Sequence, residues 1–250
     1  MNTRVAIVTG AGTGIGKSIA TGLHADGFHV ALFGRRREVL EAAAAAIDPS
    51  RQRAFAVAVD ISQREQVETA FEQVINRWGR LDLLVNNAGM NNPSVPLEDI
   101  TAGDWQQIIG VNLSGAFFCT QSAFRRFKAQ EPQGGRIINN GSISAAVPRP
   151  RASPYAATKA GITGLTRASA LDGRPFNIAV GQIDIGNAST EMTRQMATGV
   201  LQPDGSLAIE PTIDVGHIAD AVRYMAGLPL EANALTLTVM ATQMPFAGRG

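Results

Sequence analysis

The chain is poor in cysteine, histidine and lysine, and each shortage excludes a class of function. Cys119 is the single cysteine among 250 residues, so neither an intrachain disulfide nor a cysteine-based zinc site can form. The three histidines are scattered along the chain, and we therefore expect no metal cofactor. A chain without disulfides is typical of a reducing compartment, and the sequence predicts a cytoplasmic protein.

Long apolar runs and an excess of one charge are also missing. No apolar run approaches the roughly 18 residues that a membrane span needs, and no signal peptide is expected. With 22 basic and 21 acidic residues the formal net charge is +1. That balance gives no sequence-independent attraction to nucleic acid or to an anionic membrane. We therefore expect neither of these partners.

What the sequence does contain is an alternation of short apolar runs and longer amphipathic segments. Hydrophobic residues make up 45% of the chain, enough for a substantial core. The alternation predicts an α/β fold, a doubly wound parallel sheet of the Rossmann type with helices on both faces, in a single domain at residues 1–250. Seven strands are expected, at residues 5–8, 28–33, 54–59, 81–85, 136–139, 177–183 and 235–240.

Residues 187–214 interrupt this alternation. They include Met192, Met196 and Pro211 and show no strand pattern. Long irregular segments inside compact domains are frequently functional, and methionine suits an adaptable apolar wall. We predict a lid that closes over a medium-sized, partly apolar substrate, with Arg149 and Arg151 as candidates to meet an acidic group. The alternative is a short fixed helix whose two methionines face the core.

A glycine-rich turn follows the first predicted strand. Gly10, Gly14 and Gly16 lie between that strand and a helical run at residues 17–26. Glycine lets the main chain approach a pyrophosphate closely, and a helix N-terminus presents N–H groups and a positive dipole end to it. The turn therefore predicts a dinucleotide site. The alternative is a tight turn that binds nothing.

The glycine spacing and four later motifs resemble the short-chain dehydrogenase/reductase family. The turn reads T-G-x-x-x-G-x-G from Thr9, Asp60 follows the third strand, residues 86–89 read N-N-A-G, Asn112 lies in a predicted helix, and Ser142 precedes Y-x-x-x-K at Tyr155 by 13 residues. The resemblance implies hydride transfer between a nicotinamide and a carbonyl or secondary alcohol. It implies a cofactor site formed by Gly10, Gly12, Thr13, Gly14, Ile15, Gly16, Arg35, Asp60, Ile61, Asn87, Ala88, Gly89, Tyr155, Lys159, Ala188 and Thr190.

The catalytic set that the resemblance implies is Asn112, Ser142, Tyr155 and Lys159. A free tyrosine is a poor acid or base at neutral pH, and a nearby cation favours its phenolate. Lys159 lies four residues after Tyr155, which on a helix places both side chains on one face. Moreover, it is one of only three lysines in a chain rich in arginine.

The resemblance also implies a role for each member of this set. Tyr155 is the general acid in reduction and the general base in oxidation. Lys159 favours the phenolate and holds the nicotinamide ribose. Ser142 polarises the substrate oxygen, and Asn112 keeps a water that links Lys159 to solvent.

The residues after the second strand bear on the choice of nicotinamide. Gly34 stands where NAD-selecting relatives carry a carboxylate, and Arg35 follows it. Arginine binds phosphate bidentately, so the sequence favours NADP(H), with NAD(H) as the alternative. The opposing interpretation is that Arg35 belongs to the solvated start of a helix at residues 36–47.

Two other functions are weighed against this one. A cofactor-binding regulator or scaffold would keep the fold without turnover, but the complete catalytic set argues against it. A sugar-nucleotide epimerase or dehydratase uses a different glycine spacing.

The resemblance further implies a homotetramer or homodimer built on the helices at residues 104–128 and 154–171, whose apolar faces carry Phe117, Phe118, Phe124, Ile162, Leu165 and Ala168. In the alternative interpretation these apolar faces pack only against the sheet of their own subunit.

Overall fold

The computed structural model describes residues 3–191, 193 and 198–246. In these residues the strands are β1 (Arg4–Thr9), β2 (Phe28–Gly34), β3 (Ala54–Ala58), β4 (Leu83–Asn86), β5 (Gly135–Asn140), β6 (Ile178–Ile185), β7 (Val200–Leu201), β8 (Leu207–Ala208) and β9 (Thr236–Val239). The α-helices are α1 (Gly14–Ala25), α2 (Arg37–Ile47), α3 (Arg64–Trp78), α4 (Ala102–Ile109), α5 (Gly115–Ala129), α6 (Ser153–Gly173) and α7 (Val215–Gly227).

Seven of the strands form one parallel sheet in the order β3-β2-β1-β4-β5-β6-β9. This confirms the predicted α/β fold and all seven predicted strands. The order reverses direction between β1 and β4, because the chain first builds outward through β2 and β3 and then returns to the other side of β1. Such a reversal leaves a crevice at the carboxyl ends of the two strands, where open α/β sheets bind ligands.

Both faces of the sheet are buried, which is why its strands read as continuous apolar runs. In β1, Ala6 and Val8 face one hydrophobic cluster, which includes residues of α1, α2 and α7. Val5 and Ile7 face the other, which includes residues of α3 and α5. This alternation follows from the two-residue period of a strand.

The predicted continuous helix at residues 104–128 is wrong in one respect. It consists of α4 and α5 joined by a π-helical turn, Gly110–Ser114. A π turn accommodates one extra residue per turn and is frequent at functional sites. The turn carries Asn112, whose side chain is buried.

The expectation that residues 187–214 contain no strand is also wrong. β7 and β8 pair as a short antiparallel hairpin, and Ala188 forms a parallel bridge with Ile213. Two-residue strands are too short for a period to be visible in the sequence. Met192 and Met196, on which the competing interpretations of this segment depend, lie outside the described residues.

A buried arginine fastens the C-terminal part of the chain to the sheet. Arg136 of β5 is 3% exposed, and burial lowers its pKa. Its guanidinium donates to the main-chain oxygens of Leu228, Pro229 and Ala232 and to the Asn233 side chain, at 2.9–3.2 Å. These acceptors all belong to the connection between α7 and β9.

Candidate active site

A large cavity of about 680 Å³ opens at the carboxyl ends of the parallel strands. Its wall contains main-chain and side-chain groups from the loops that follow β1, β2, β3, β4, β5 and β6. This is the crevice that the reversal in strand order creates. The sites that the sequence placed at separate positions along the chain therefore meet in one place.

The glycine turn forms one wall of the cavity and needs its glycines for close packing. Gly10 has φ +66°, and a Cβ on it would lie 2.9 Å from Ala88 Cα. A Cβ on Gly16 would lie 2.3 Å from the Gly10 oxygen. α1 begins at Gly14, so the positive end of its dipole points toward the turn. The predicted turn residues Gly10, Gly12, Thr13, Gly14, Ile15 and Gly16 all line the cavity.

The N-N-A-G motif ties three strand ends together. The Asn87 and Ala88 amides both donate to the Thr9 hydroxyl at 2.9 Å, and the Asn87 side chain donates to the Thr9 oxygen at 2.9 Å. Asn140, at the end of β5, donates to Asn87 Oδ1 at 3.0 Å. These bonds set the width of the crevice between β1, β4 and β5. Asn87, Ala88 and Gly89 line the cavity.

The end of the cavity beside β2 and β3 is lined by charged side chains. Arg35, Asp60 and Ile61 line it, and so does Arg36, which the sequence did not single out as a site residue. The Asp60 carboxylate accepts hydrogen bonds from the Ser62 amide at 3.0 Å and the Ser62 hydroxyl at 2.8 Å, so its orientation is fixed by the turn that follows β3. In the described part of the chain no carboxylate pairs with Arg35 or Arg36.

Ser142, Tyr155 and Lys159 meet at the opposite end of the cavity and all line it. Tyr155 and Lys159 lie one turn apart on α6, with Lys159 Nζ 5.5 Å from the centre of the Tyr155 ring. Lys159 Nζ donates to the Asn140 main-chain oxygen at 2.7 Å, which anchors the ammonium at the end of β5. The Ser142 hydroxyl oxygen accepts from the Ser144 amide at 3.1 Å, so its own proton is left for donation into the cavity.

Asn112 lies behind the cavity wall. Its side chain accepts from the Met90 amide at 2.8 Å and donates to the Met90 oxygen at 2.9 Å. It also donates to the Thr158 hydroxyl at 3.3 Å. Asn112 therefore joins the loop after β4 to the helix that carries Tyr155 and Lys159.

The segment after β6 approaches the glycine turn. Ala188 and Thr190 both line the cavity, and a Cβ on Gly14 would lie 3.4 Å from Thr190 Cγ2. Main-chain pairing supplies rigidity here, because the Ser189 amide donates to the Ile213 oxygen at 2.7 Å and the Ile213 amide donates to the Asn187 oxygen at 2.8 Å.

A buried ion pair beside the cavity escaped the sequence analysis. Arg149 pairs with Glu210, whose side chain is 2% exposed. Arg149 also donates to Asn187 Oδ1 at 2.8 Å, and Glu210 accepts from Asn187 at 2.8 Å and from Gln202 at 3.1 Å. Arg149, expected to meet an acidic group of the substrate, is thus already paired with an internal carboxylate, while it and Arg151 both line the cavity. The only sign of this ion pair in the sequence is Glu210, an acidic residue inside a segment for which no strand is predicted.

Among residues 3–191, 193 and 198–246, no group of three or more histidine, cysteine, aspartate or glutamate side chains is arranged to hold a metal ion. In the same part of the chain, no helix has the length and apolar character to cross a membrane.

Comparisons with known proteins agree with this geometry. Residues 4–200 match the short chain dehydrogenase family. A short-chain dehydrogenase/reductase of Armillaria gallica is 39% identical over 220 residues, which cover 86% of this chain and 84% of the relative.

Two solved structures extend the likeness to nearly the whole fold. The 3-ketoacyl-(acyl-carrier-protein) reductase of Brucella melitensis, complexed with NADH, superposes with a TM-score of 0.84 at 28% identity over 96% of this chain and 98% of that one. The alcohol dehydrogenase of Thermococcus sibiricus, complexed with 5-hydroxy-NADP, gives 0.83 at 26% identity over 97% and 98%. The chain belongs to the short-chain dehydrogenase family and is an NAD(P)-dependent oxidoreductase that acts on an alcohol or carbonyl group.

Proposed function

We propose that this oxidoreductase is an NADP(H)-preferring enzyme in which Tyr155 transfers the proton, assisted by Ser142, Lys159 and Asn112. The observation that carries the proposal is the arrangement of the large cavity described above. A phosphate-compatible glycine turn lies on one wall, and Ser142, Tyr155 and Lys159 converge at one end. A dinucleotide seated on the turn would therefore bring its nicotinamide to the hydroxyl-bearing side chains.

The residues present fit a nicotinamide dinucleotide. The close contacts of Gly10 and Gly16 leave no room for side chains at the turn, so main-chain N–H groups and the α1 N-terminus face the position of a pyrophosphate. Asp60 and Ile61 would contact the adenine, and Ala188 and Thr190 would contact the carboxamide. When bound, the nicotinamide supplies or accepts the hydride.

The chain's own groups then handle the proton and the developing charge. In reduction, Ser142 donates a hydrogen bond to the substrate oxygen, and Tyr155 donates its phenolic proton as the alkoxide forms. In oxidation the Tyr155 phenolate accepts that proton. An ammonium has three donors, and Lys159 uses one of them on the Asn140 oxygen. Its other donors serve the ribose hydroxyls and a water linked to solvent, and Asn112 supports this corner by fixing Met90 and Thr158.

The preference for NADP(H) rests on the charge beside β2. Arg35 and Arg36 are exposed at the cavity rim, and Gly34 provides no carboxylate to bind a free ribose hydroxyl or to repel a phosphate. An arginine fork matches the geometry of a 2′-phosphate. Of the two similar solved structures, one is complexed with NADH and the other with 5-hydroxy-NADP. The proposed preference is therefore argued from Arg35 and not from the relatives.

The proposed substrate is a medium-sized, partly apolar ketone or secondary alcohol. The outer cavity wall combines Asn92 and Ser94 with Val200, Leu201 and Leu207. Leu207, on the hairpin, is 74% exposed, and an apolar group of the substrate would cover it. We propose that the single domain at residues 1–250 uses residues 187–214 as a lid for this purpose, which would exclude water from the hydride path.

We further propose a homotetramer or homodimer in the cytoplasm. Phe117 on α5 is 44% exposed, which leaves apolar surface for a second copy. Ile162 is 2% exposed, so this part of the predicted interface covers the protein's own sheet instead. Phe118 and Phe124 are half-buried against the core of their own subunit.

Substitution of Tyr155 by phenylalanine tests the proposed function, because it deletes only the hydroxyl. Turnover of a panel of ketones and secondary alcohols should fall by about 100- to 10,000-fold, while NADPH binding, followed by fluorescence, stays near wild type. The matched control is Tyr224→Phe, since Tyr224 is the only other tyrosine and is 61% exposed on α7. Its activity should be unchanged.

The competing proposal of a catalytically silent regulator makes the opposite prediction. Wild-type protein would then bind cofactor but turn over no member of the panel, and Tyr155→Phe would change nothing. Activity of Tyr155→Phe within about twofold of wild type would equally remove Tyr155 from the proposed role. Lys159→Ala should lower both turnover and cofactor affinity, because its proposed role is double: it assists Tyr155 and holds the nicotinamide ribose.

A further inference from the structure

A carboxylate lies directly behind the proposed catalytic serine. Asp184 and Gln182 point to the same side of β6, as residues two apart in a strand do. Both line a second cavity of about 340 Å³ on the far side of Ser142, between α6, β6 and β9. Gln182 is 2% exposed and Asp184 is half-buried. A charge held partly out of water at an inner strand is costly unless it is compensated.

Asp184 packs against the main chain that carries Ser142. The Gly141 amide donates to the Ile183 oxygen at 2.8 Å, which lays this turn onto β6. A Cβ on Gly141 would lie 2.1 Å from Asp184 Oδ1, so glycine is needed for the carboxylate to come this close. Burial raises the pKa of Asp184, and hydrogen bonds from Gln182 and the Ser142 main chain, with the charge of Lys159, oppose that rise.

A chain of buried hydrogen bonds connects Asp184 to α6. Gln182 Nε2 donates to Asp184 at 2.6 Å and to the Thr163 hydroxyl at 3.1 Å. The Thr166 hydroxyl donates to Gln182 Oε1 at 3.1 Å. Thr163 in turn donates to the Lys159 main-chain oxygen at 3.3 Å. Asp184 is therefore fixed relative to both the serine turn and the helix turn that carries Lys159.

We propose that Asp184 is a positioning residue for the reaction: its carboxylate holds the Gly141–Ser142 main chain on β6 and thereby keeps the Ser142 hydroxyl in its place in the cavity. This inference rests on the proposed function of Ser142. The charged groups that face Asp184 are Lys159 and Arg167, both on α6. β9 contributes only the hydroxyls of Thr236 and Thr238 to the cavity.

The consequence for the reaction follows from this contact. Removing the Asp184 side chain should release the Ser142 main chain, and misplacement of a reacting group by about 1 Å can cost roughly 100-fold in rate.

The chain offers a conservative variant and a matched control. Asp184→Asn keeps the shape of the side chain and an oxygen that can accept from the Ser142 main chain, so its kcat should lie between those of wild type and Asp184→Ala. The matched control is Asp220→Ala, a like change on the exposed face of α7, which should leave kcat unchanged.

Steady-state kinetics with the best secondary alcohol of the panel provide the readout. Asp184→Ala should lose about 10- to 100-fold in kcat with little change in the KM for NADP. If Asp184→Ala fails to fold, Asp184→Asn decides the question alone.

The outcomes separate this inference from the proposed function. If wild type turns over substrate and Tyr155→Phe does not, but a folded Asp184→Ala variant keeps the wild-type kcat, the inference is overturned. Where Asp184→Ala does not fold, a wild-type kcat in Asp184→Asn overturns it. Loss of the proposed function would show differently, as a wild-type protein without turnover.

Discussion

Removing the carboxylate of Glu210 should cost about 3 kcal/mol of the free energy of unfolding at neutral pH. Burial by itself raises the pKa of Glu210, but hydrogen bonds from Arg149, Asn187 and Gln202 and the Arg149 charge lower it from 4.5 to about 2. A fall of this size corresponds to about 3 kcal/mol of preference for the folded state. Loss of one partner from a buried ion pair gives a similar figure, about 3–5 kcal/mol, because the other charge is left uncompensated.

The pH dependence of this contribution has a definite sign. The folded-state pKa is lower than the unfolded value, so the Glu210 contribution is fully present above about pH 4.5 and is lost as the pH falls toward about 2. The stability difference between wild type and Glu210→Ala should therefore be largest near pH 7. By pH 3 it should have shrunk to less than about half of that value.

Denaturant unfolding of wild type and Glu210→Ala between pH 7 and pH 3 measures both quantities. The matched control is Glu41→Ala, because Glu41 pairs with Arg51 at the surface, where the two side chains are 39% and 58% exposed. Its loss should stay under about 1 kcal/mol. A Glu210→Ala loss no larger than that of the control, or one that does not change with pH, would refute the reasoning.

Three other results are expected. Arg35→Asp should shift the ratio of kcat/KM values from NADP(H) toward NAD(H), since a carboxylate repels the 2′-phosphate and accepts a hydrogen bond from a free ribose hydroxyl. An unchanged ratio would show that Arg35 is a solvated residue without a role in cofactor choice. Light scattering at micromolar concentration should give a dimer or tetramer mass, and a value of about 26 kDa would contradict the assembly. Hydrogen exchange at amides 198–210 should slow when NADP(H) and a substrate analogue bind, and equal protection in both states would exclude a lid.

The parts of the molecule that sequence could predict are those whose signal is local. Each sheet strand is buried on both faces and reads as an apolar run, so its position follows from composition. The glycine turn and the Tyr155–Lys159 spacing are likewise local, since the geometry of one turn fixes which side chains come together. The structure gathers these residues around one cavity because the carboxyl ends of parallel strands share an edge.

What sequence missed depends on distant or subtle geometry. Arg149 and Glu210 are 61 residues apart and belong to no motif, so their pairing is visible only in three dimensions. The π turn at Gly110–Ser114 adds a residue without changing the helical composition around it. Asp184 stands in a strand otherwise rich in apolar residues. Its proposed positioning role is indicated only by the close approach of its carboxylate to Gly141, which is visible in three dimensions.

The contacts of Arg136 impose an order on the biogenesis of the chain. Its guanidinium is inserted beneath a connection that begins about 90 residues later in the sequence, and β9 follows that connection directly. While the ribosome still holds this stretch, the amino-terminal strands can assemble but the arginine must stay hydrated. A chain truncated after α7 would therefore leave the β6 edge without β9 and the Arg136 guanidinium without its main-chain acceptors.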